Sequence, residues 1–112
     1  MDFLNTEHQV RYLDYITRDS TYDGDVERKA FFYLLAAHET RDIDRIYDFE
    51  ERSIRPEVLD NGLSHGEAIL IKFAFHLFNG WECESIIDMF STLSGDLRNA
   101  VLSAIKIRFK ME

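Results

Sequence analysis

Ala68-Ile69-Leu70-Ile71-Lys72-Phe73-Ala74-Phe75-His76-Leu77-Phe78 is the stretch on which the fold turns. Only Lys72 and His76 interrupt its apolar run. An apolar segment this long, bounded by cap signals, reads as a helix that is apolar nearly all round and therefore buried at the centre of a domain. It is too short to span a bilayer. In front of it, Ser64-His65-Gly66-Glu67 forms a capping box, in which the serine hydroxyl accepts from the Glu67 amide and Glu67 reaches back. Behind it, Asn79-Gly80 is a stop signal. With Gly80 in the left-handed region, Trp81 is expected to fold back onto Phe75 or His76.

Working outward toward the C-terminus, Glu82–Phe90 fits a helix carrying Ile86, Ile87, Met89 and Phe90. Ser94-Gly95-Asp96 separates it from a last helix, Leu97–Phe109, whose stripe is Leu97, Ala100, Val101, Ala104, Ile105 and Arg108. Toward the N-terminus, Asn61-Gly62 ends a short helix that Pro56 opens. A narrow third helix is expected from Thr40 to about Arg52, with Ile43, Ile46 and Tyr47 apolar and most of the rest charged. A second runs from a cap at Asp23 or Asp25 to about His38, carrying Val26, Ala30, Phe31, Leu34 and Leu35. The first starts after Asn5 or Thr6, where Thr6-x-x-Gln9 also fits a capping box. No stretch alternates long enough to suggest a sheet, and no linker or repeat divides the chain. The expected architecture is all-α: residues 1–112 as one compact bundle of five to seven helices around a central helix at about 68–78.

The chain carries 13 Lys plus Arg against 21 acidic residues, a net charge of −8. That excludes a general phosphate-backbone binder, which needs a positive footprint. The charge is uneven, since residues 1–60 hold a net −7 and residues 61–112 only −1. Glu7/Arg11, Asp14/Arg18, Asp48/Arg52 and Glu51/Arg55 stand at i,i+4 with the acid first, the favourable helical order. Such a run usually makes a solvated helix face. The single cysteine, Cys83, excludes an internal disulfide and a multi-cysteine zinc site. Met1-Asp2-Phe3 does not open a secretory signal, and a cytoplasmic location is expected.

No catalytic motif stands out. Asp19, Thr21 and Asp23 can be laid on the first three positions of a calcium loop with Gly24 at its turn, but the closing bidentate Glu is replaced by Ala30. An aspartate-rich turn followed by a helix cap is the plainer reading. None of the four histidines has a close zinc-ligand spacing. Lys72 and His76, one turn apart, are two cationic groups that each make protonating the other costlier; a core helix's polar edge gives the same pattern. His38-Glu39 lies near a helix end, where a histidine simply meets terminal carbonyls. Glu82 and Glu84 flank Cys83 and oppose thiolate formation. Arg98, Lys106, Arg108 and Lys110 complement the dipole of the last helix, which lacks the polar N-terminal face that reads bases. No metal and no cofactor is expected.

Phe3-Leu4-Asn5-x-Glu7-His8, Arg28-Lys29-Ala30-Phe31-Phe32-Tyr33-Leu34, Ile46-Tyr47-Asp48-Phe49-Glu50-Glu51, Ile54-x-Pro56-Glu57-x-Leu59 and Phe73–Gly80 together span nearly the whole chain. In these stretches the chain resembles a small uncharacterised family, of the domain-of-unknown-function class, from Gram-positive bacteria and their phages or mobile elements. The resemblance implies no activity and transfers no catalytic residue. Its context suggests a protein that binds and blocks host machinery.

The leading expectation is a non-enzymatic binding protein that presents an acidic surface to a basic site on a host protein. In its sharpest form it is a phage-type inhibitor of a defence nuclease such as a CRISPR effector, of the anti-CRISPR kind, with no direct nucleic-acid or membrane contact. The surface residues expected are Asp42, Asp44, Asp48, Glu50 and Glu51 on the third helix, with Asp19, Asp23, Asp25 and Glu27 on the preceding loop. The alternative is a structural or oligomerisation domain, and a homodimer is open. A third is a small metal- or histidine-dependent enzyme using His38/Glu39 or His76.

Overall fold

The computed structural model describes residues 1–38 and 42–112. Five helices carry the fold: α1 (Thr6–Asp19), α2 (Val26–Ala36), α3 (His65–Asn79), α4 (Ile86–Thr92) and α5 (Gly95–Phe109). A two-stranded hairpin, β1 (Tyr47–Asp48) and β2 (Ser53–Ile54), is the one addition to the all-α plan among the described residues.

The expected capping box forms at α3, with Ser64 Oγ accepting from the Glu67 amide and Glu67 Oε1 from the Ser64 amide. Its apolar run is buried at Ile69, Leu70, Ile71, Phe73, Ala74, Phe75 and Leu77. Gly80 ends it at φ +83°, and Trp81 folds back so that its ring meets Phe75 edge-on at 6.1 Å.

The centre is shared with α2. Ala30–Ala36 is apolar on every face and buried throughout, and α2 packs on α1, α3 and α5. Phe31 stacks on Phe75, and Phe32 meets Tyr47 edge-on, so aromatic contacts run from the helical core into the hairpin. Burying residues of this size contributes about 1.5–3 kcal/mol each. Asp25 caps α2 by accepting from the Arg28 amide, and Asn5, one residue ahead of Thr6, caps α1 by accepting from the His8 amide.

The expected third helix does not form. Its first two residues lie outside the described ones. Beyond them come a 3-10 turn at Ile43–Arg45 and then the hairpin, with Tyr47 opposite Ile54 and Asp48 opposite Ser53. Asp48 accounts for this. Its Oδ1 accepts from the amides of both Glu50 and Glu51, a local turn that competes with a helix. Arg52 follows in the left-handed region at φ +55°. The i,i+4 pairs Asp48/Arg52 and Glu51/Arg55 therefore do not form, and Arg55 pairs with Asp48 instead, at 3.2 Å.

Pro56–Asp60 is the short helical turn that Pro56 suggested. The helix expected at Glu82–Phe90 starts later, at Ile86, because Ser85 accepts from the Asp88 amide and sets the start.

Candidate functional site

Asp19 and Asp25 do not lie on the surface expected of them. Asp19, the last residue of α1, has a fully buried carboxylate. It accepts from Arg52 Nε at 3.0 Å and Nη2 at 2.9 Å, from the Tyr47 hydroxyl at 2.7 Å, and from the Thr21 hydroxyl. Arg28 completes the network. Its Nε donates to Tyr47 Oη at 3.1 Å, its Nη1 to Asp25 at 3.0 Å and its Nη2 to the Arg52 carbonyl at 3.0 Å. The end of α1, the start of α2 and the hairpin are thereby tied at one point.

A carboxylate moved out of water must be paired. Burial by itself pushes the Asp19 carboxyl up, but the hydrogen bonds from Arg52, Thr21 and Tyr47 more than offset it and hold it below its ordinary value. Burial, followed by the neighbouring Asp19, pushes the Tyr47 hydroxyl up to about 12, so it stays protonated and donates. The Asp19 hydrogen bond raises Arg52 further. With both Asp19 oxygens engaged by protein donors, the aspartate-rich segment is a turn and helix cap, as its plainer reading held.

The other seven expected surface acids divide into two groups. Asp42, Asp44, Asp48, Glu50 and Glu51 are gathered on the 3-10 turn and hairpin. Asp42 accepts from the Asp44 amide, and Asp44 pairs with Arg18 of α1 at 2.6 Å. Asp48 is half-buried, while Glu50 and Glu51 are exposed. The guanidinium of Arg18 also lies 4.0 Å from the Phe49 ring centre, which fixes the hairpin against α1. Asp23 and Glu27 are held elsewhere, Asp23 by Lys29 at 3.1 Å and Glu27 beside Arg108 of α5 at 3.8 Å.

Lys72 and His76 do not act on each other. Lys72 donates to Glu84 at 3.0 Å, and His76 Nδ1 donates to the Trp81 carbonyl at 2.8 Å. His38 lines a small cavity with Ser64 and Glu67, and Glu39 lies outside the described residues. Burial, with Glu84 and Glu82 nearby, pushes the Cys83 thiol up and suppresses its thiolate. Among the described residues no three His, Cys, Asp or Glu side chains cluster to hold a metal ion.

Two features escaped the sequence reading. His8 is fully buried: its Nδ1 accepts from the Leu4 amide, so Nε2 carries the proton and donates to the Tyr33 carbonyl at 2.8 Å. The other is an apolar groove of about 570 Å³ between α3, α4 and α5, floored by Phe73, Leu77, Met89 and Ile105. Ile86, Leu102 and Phe109 line it while remaining exposed. The adjacent Ile86-Ile87 pair on a short helix and the Leu102/Ile105/Phe109 spacing on the last one were its sequence signals.

The profile of a family of unknown function, DUF6075, matches residues 1–112. The chain belongs to the DUF6075 family. No curated protein and no solved structure matches it. Among the described residues of this DUF6075 chain, no helix is long and apolar enough to cross a membrane.

Proposed function

We propose that this chain is a non-enzymatic binding protein that presents the acidic segment 42–51 to a basic surface on a protein partner. The observation that carries this reading is the self-neutralising anchor. Asp19, Asp25, Arg28 and Arg52 are two acids and two bases that satisfy one another. The net −7 of residues 1–60 is therefore carried by groups outside that network. The same network, with the Arg18 contacts to Asp44 and Phe49, holds the hairpin in place before any partner arrives. A pre-formed surface spares the ordering cost of binding, and its charge favours encounter with a basic patch. In the sharpest version that patch is a nucleic-acid groove of a host defence nuclease, and the chain acts there as a phage-type inhibitor.

The test is affinity capture from host lysate with wild-type chain and with the Asp44→Lys/Glu51→Lys double variant, at low and at moderate salt. Expected is a stoichiometric basic partner that is lost at moderate salt, lost with the variant, and displaced by duplex DNA. A partner retained equally by the variant at both salts overturns the acidic-surface reading.

A further inference from the structure

Residues 1–4 lead into the Asn5 cap of α1 as an irregular strap. Among the described residues, no backbone-to-backbone hydrogen bond holds them. Side chains do so instead. The Leu4 amide donates to His8 Nδ1 at 3.0 Å, and the Tyr33 hydroxyl donates to the Asp2 carbonyl at 2.7 Å. Phe3 seats its ring on three others: His8 edge-on at 5.2 Å, Tyr12 at 5.5 Å and Tyr33 at 5.8 Å. Met1 and Asp2 form part of the wall of a cavity of about 560 Å³, which Tyr33, Ser103 and Lys106 also line.

The Leu4 contact depends on a single proton. His8 uses Nδ1 as an acceptor for Leu4 and Nε2–H as a donor to the Tyr33 carbonyl, at 2.8 Å. Only a neutral imidazole offers one acceptor and one donor; the imidazolium is a donor at both nitrogens. Its Nδ1–H would point at the Leu4 N–H. Two donors facing each other lose their hydrogen bond and are left unsatisfied. The rest of the surroundings do not compensate the cation. α2 faces the ring with Tyr33, whose burial favours its protonated hydroxyl. α1 supplies Arg11, whose positive charge opposes protonation. Asp2, the acid of the strap, and Glu7, beside His8 on α1, are both exposed. Burial works in the same direction as Arg11 and holds the ring below its ordinary 6.5 while the strap is docked.

We infer that His8 is a proton-operated latch: the neutral ring holds residues 1–4 against α1 and α2, and protonation releases them and opens the cavity that Met1 and Asp2 wall. With the strap away the ring regains water. The released form therefore takes up the proton more readily than the docked form, and release is favoured as pH falls. Histidine is the side chain suited to such a switch, since its charge changes nearest to neutral pH. The opening is local. Asn5 caps α1 through the His8 amide and not through the ring, so the start of the helix does not depend on the latch. Local openings of this kind take less free energy than unfolding the core.

Nuclear magnetic resonance of the isotope-labelled chain, titrated from neutral pH into acid, tests this. Expected at neutral pH is the Nε2–H tautomer of His8 with a hydrogen-bonded Leu4 amide. As pH falls, the ring-nitrogen shifts of His8 and the amide shifts of Phe3 and Leu4 should move with one midpoint, the amides toward unstructured values. The amides of Phe31 and Phe75 should not move with them. Phe3→Ala weakens the docked strap without altering His8 or the core, so by linkage it should raise that midpoint. His8→Gln should abolish the pH response of the Leu4 amide. A ring that takes its proton while Leu4 stays hydrogen-bonded overturns the inference. So does a strap released only together with Phe31 and Phe75, a midpoint unchanged by Phe3→Ala, or a Leu4 response that persists in His8→Gln.

Discussion

Arg52 grips Asp19 across 33 residues of chain with one edge of its guanidinium, Nε to Oδ1 at 3.0 Å and Nη2 to Oδ2 at 2.9 Å. The fork closes the hairpin onto the end of α1. Removing one member of a buried pair leaves the other unsatisfied, which costs about 3–5 kcal/mol. Asp19→Ala should fall at the lower end of that range, because Arg52 is partly exposed and can regain water. Arg52→Lys should recover little of the loss from Arg52→Ala, since an ammonium cannot make the two parallel bonds. Urea midpoints of the three variants check this.

Tyr47 joins Arg28 to the buried carboxylate that Arg52 grips, donating to Asp19 and accepting from Arg28 Nε. Tyr47→Phe keeps the ring against Phe32 and deletes only the hydroxyl. The expected loss is about 1.5–3 kcal/mol, the range for a hydrogen bond to a charged group. Residues in one network couple, so the Tyr47→Phe/Arg52→Ala double variant should lose less than the sum of the singles. A double-mutant cycle in urea reads the difference, and strict additivity would mean that the hydroxyl and the guanidinium act independently.

Stability should fall with acid in two stages. Burial, against the raising effect of the Tyr33 carbonyl, holds His8 below its ordinary 6.5. The unfolded chain then binds the proton more readily, so the His8 contribution is complete above 6.5 and is lost as pH falls through the lower folded value. Protonation also removes the Nδ1 acceptor of the Leu4 amide. Asp19 follows at lower pH: its folded value is depressed from 3.8, so its contribution is present above 3.8 and is lost as pH falls through the folded value. A His8→Gln variant should be less stable at neutral pH and should lack the first stage. Urea midpoints followed from neutral pH to acid would show it.

Gly80 lies at φ +83° with open space where a Cβ would stand. Gly80→Ala should therefore cost about 1–2 kcal/mol from backbone strain alone. Trp81, the single tryptophan, reports the same cap, because its carbonyl holds His76 and its ring meets Phe75. A shift in its fluorescence at unchanged helix content would show the turn opening before the core.

The four main-chain signals that survived into the structure are all local: the Ser64/Glu67 box, the Gly80 stop with Trp81 folded back, the Pro56 turn and the Asp25 cap. Each is decided by a few neighbouring residues, so the sequence alone determined the all-α plan, the α3 helix and most element ends. The segment around Asp48 went the other way because its local cues conflict. Its charge spacing matches a helix, while Asp48 itself satisfies a turn and Arg52 has a stronger partner in Asp19. That partner lies 33 residues away, and no local pattern announces it. The same distance effect withdrew Asp19 and Asp25 from the acidic surface, buried His8 under Tyr33, and assembled the groove from α3, α4 and α5. Charge and apolarity are properties of residues and can be counted along a chain. Which of them meets water is decided only when distant segments pack.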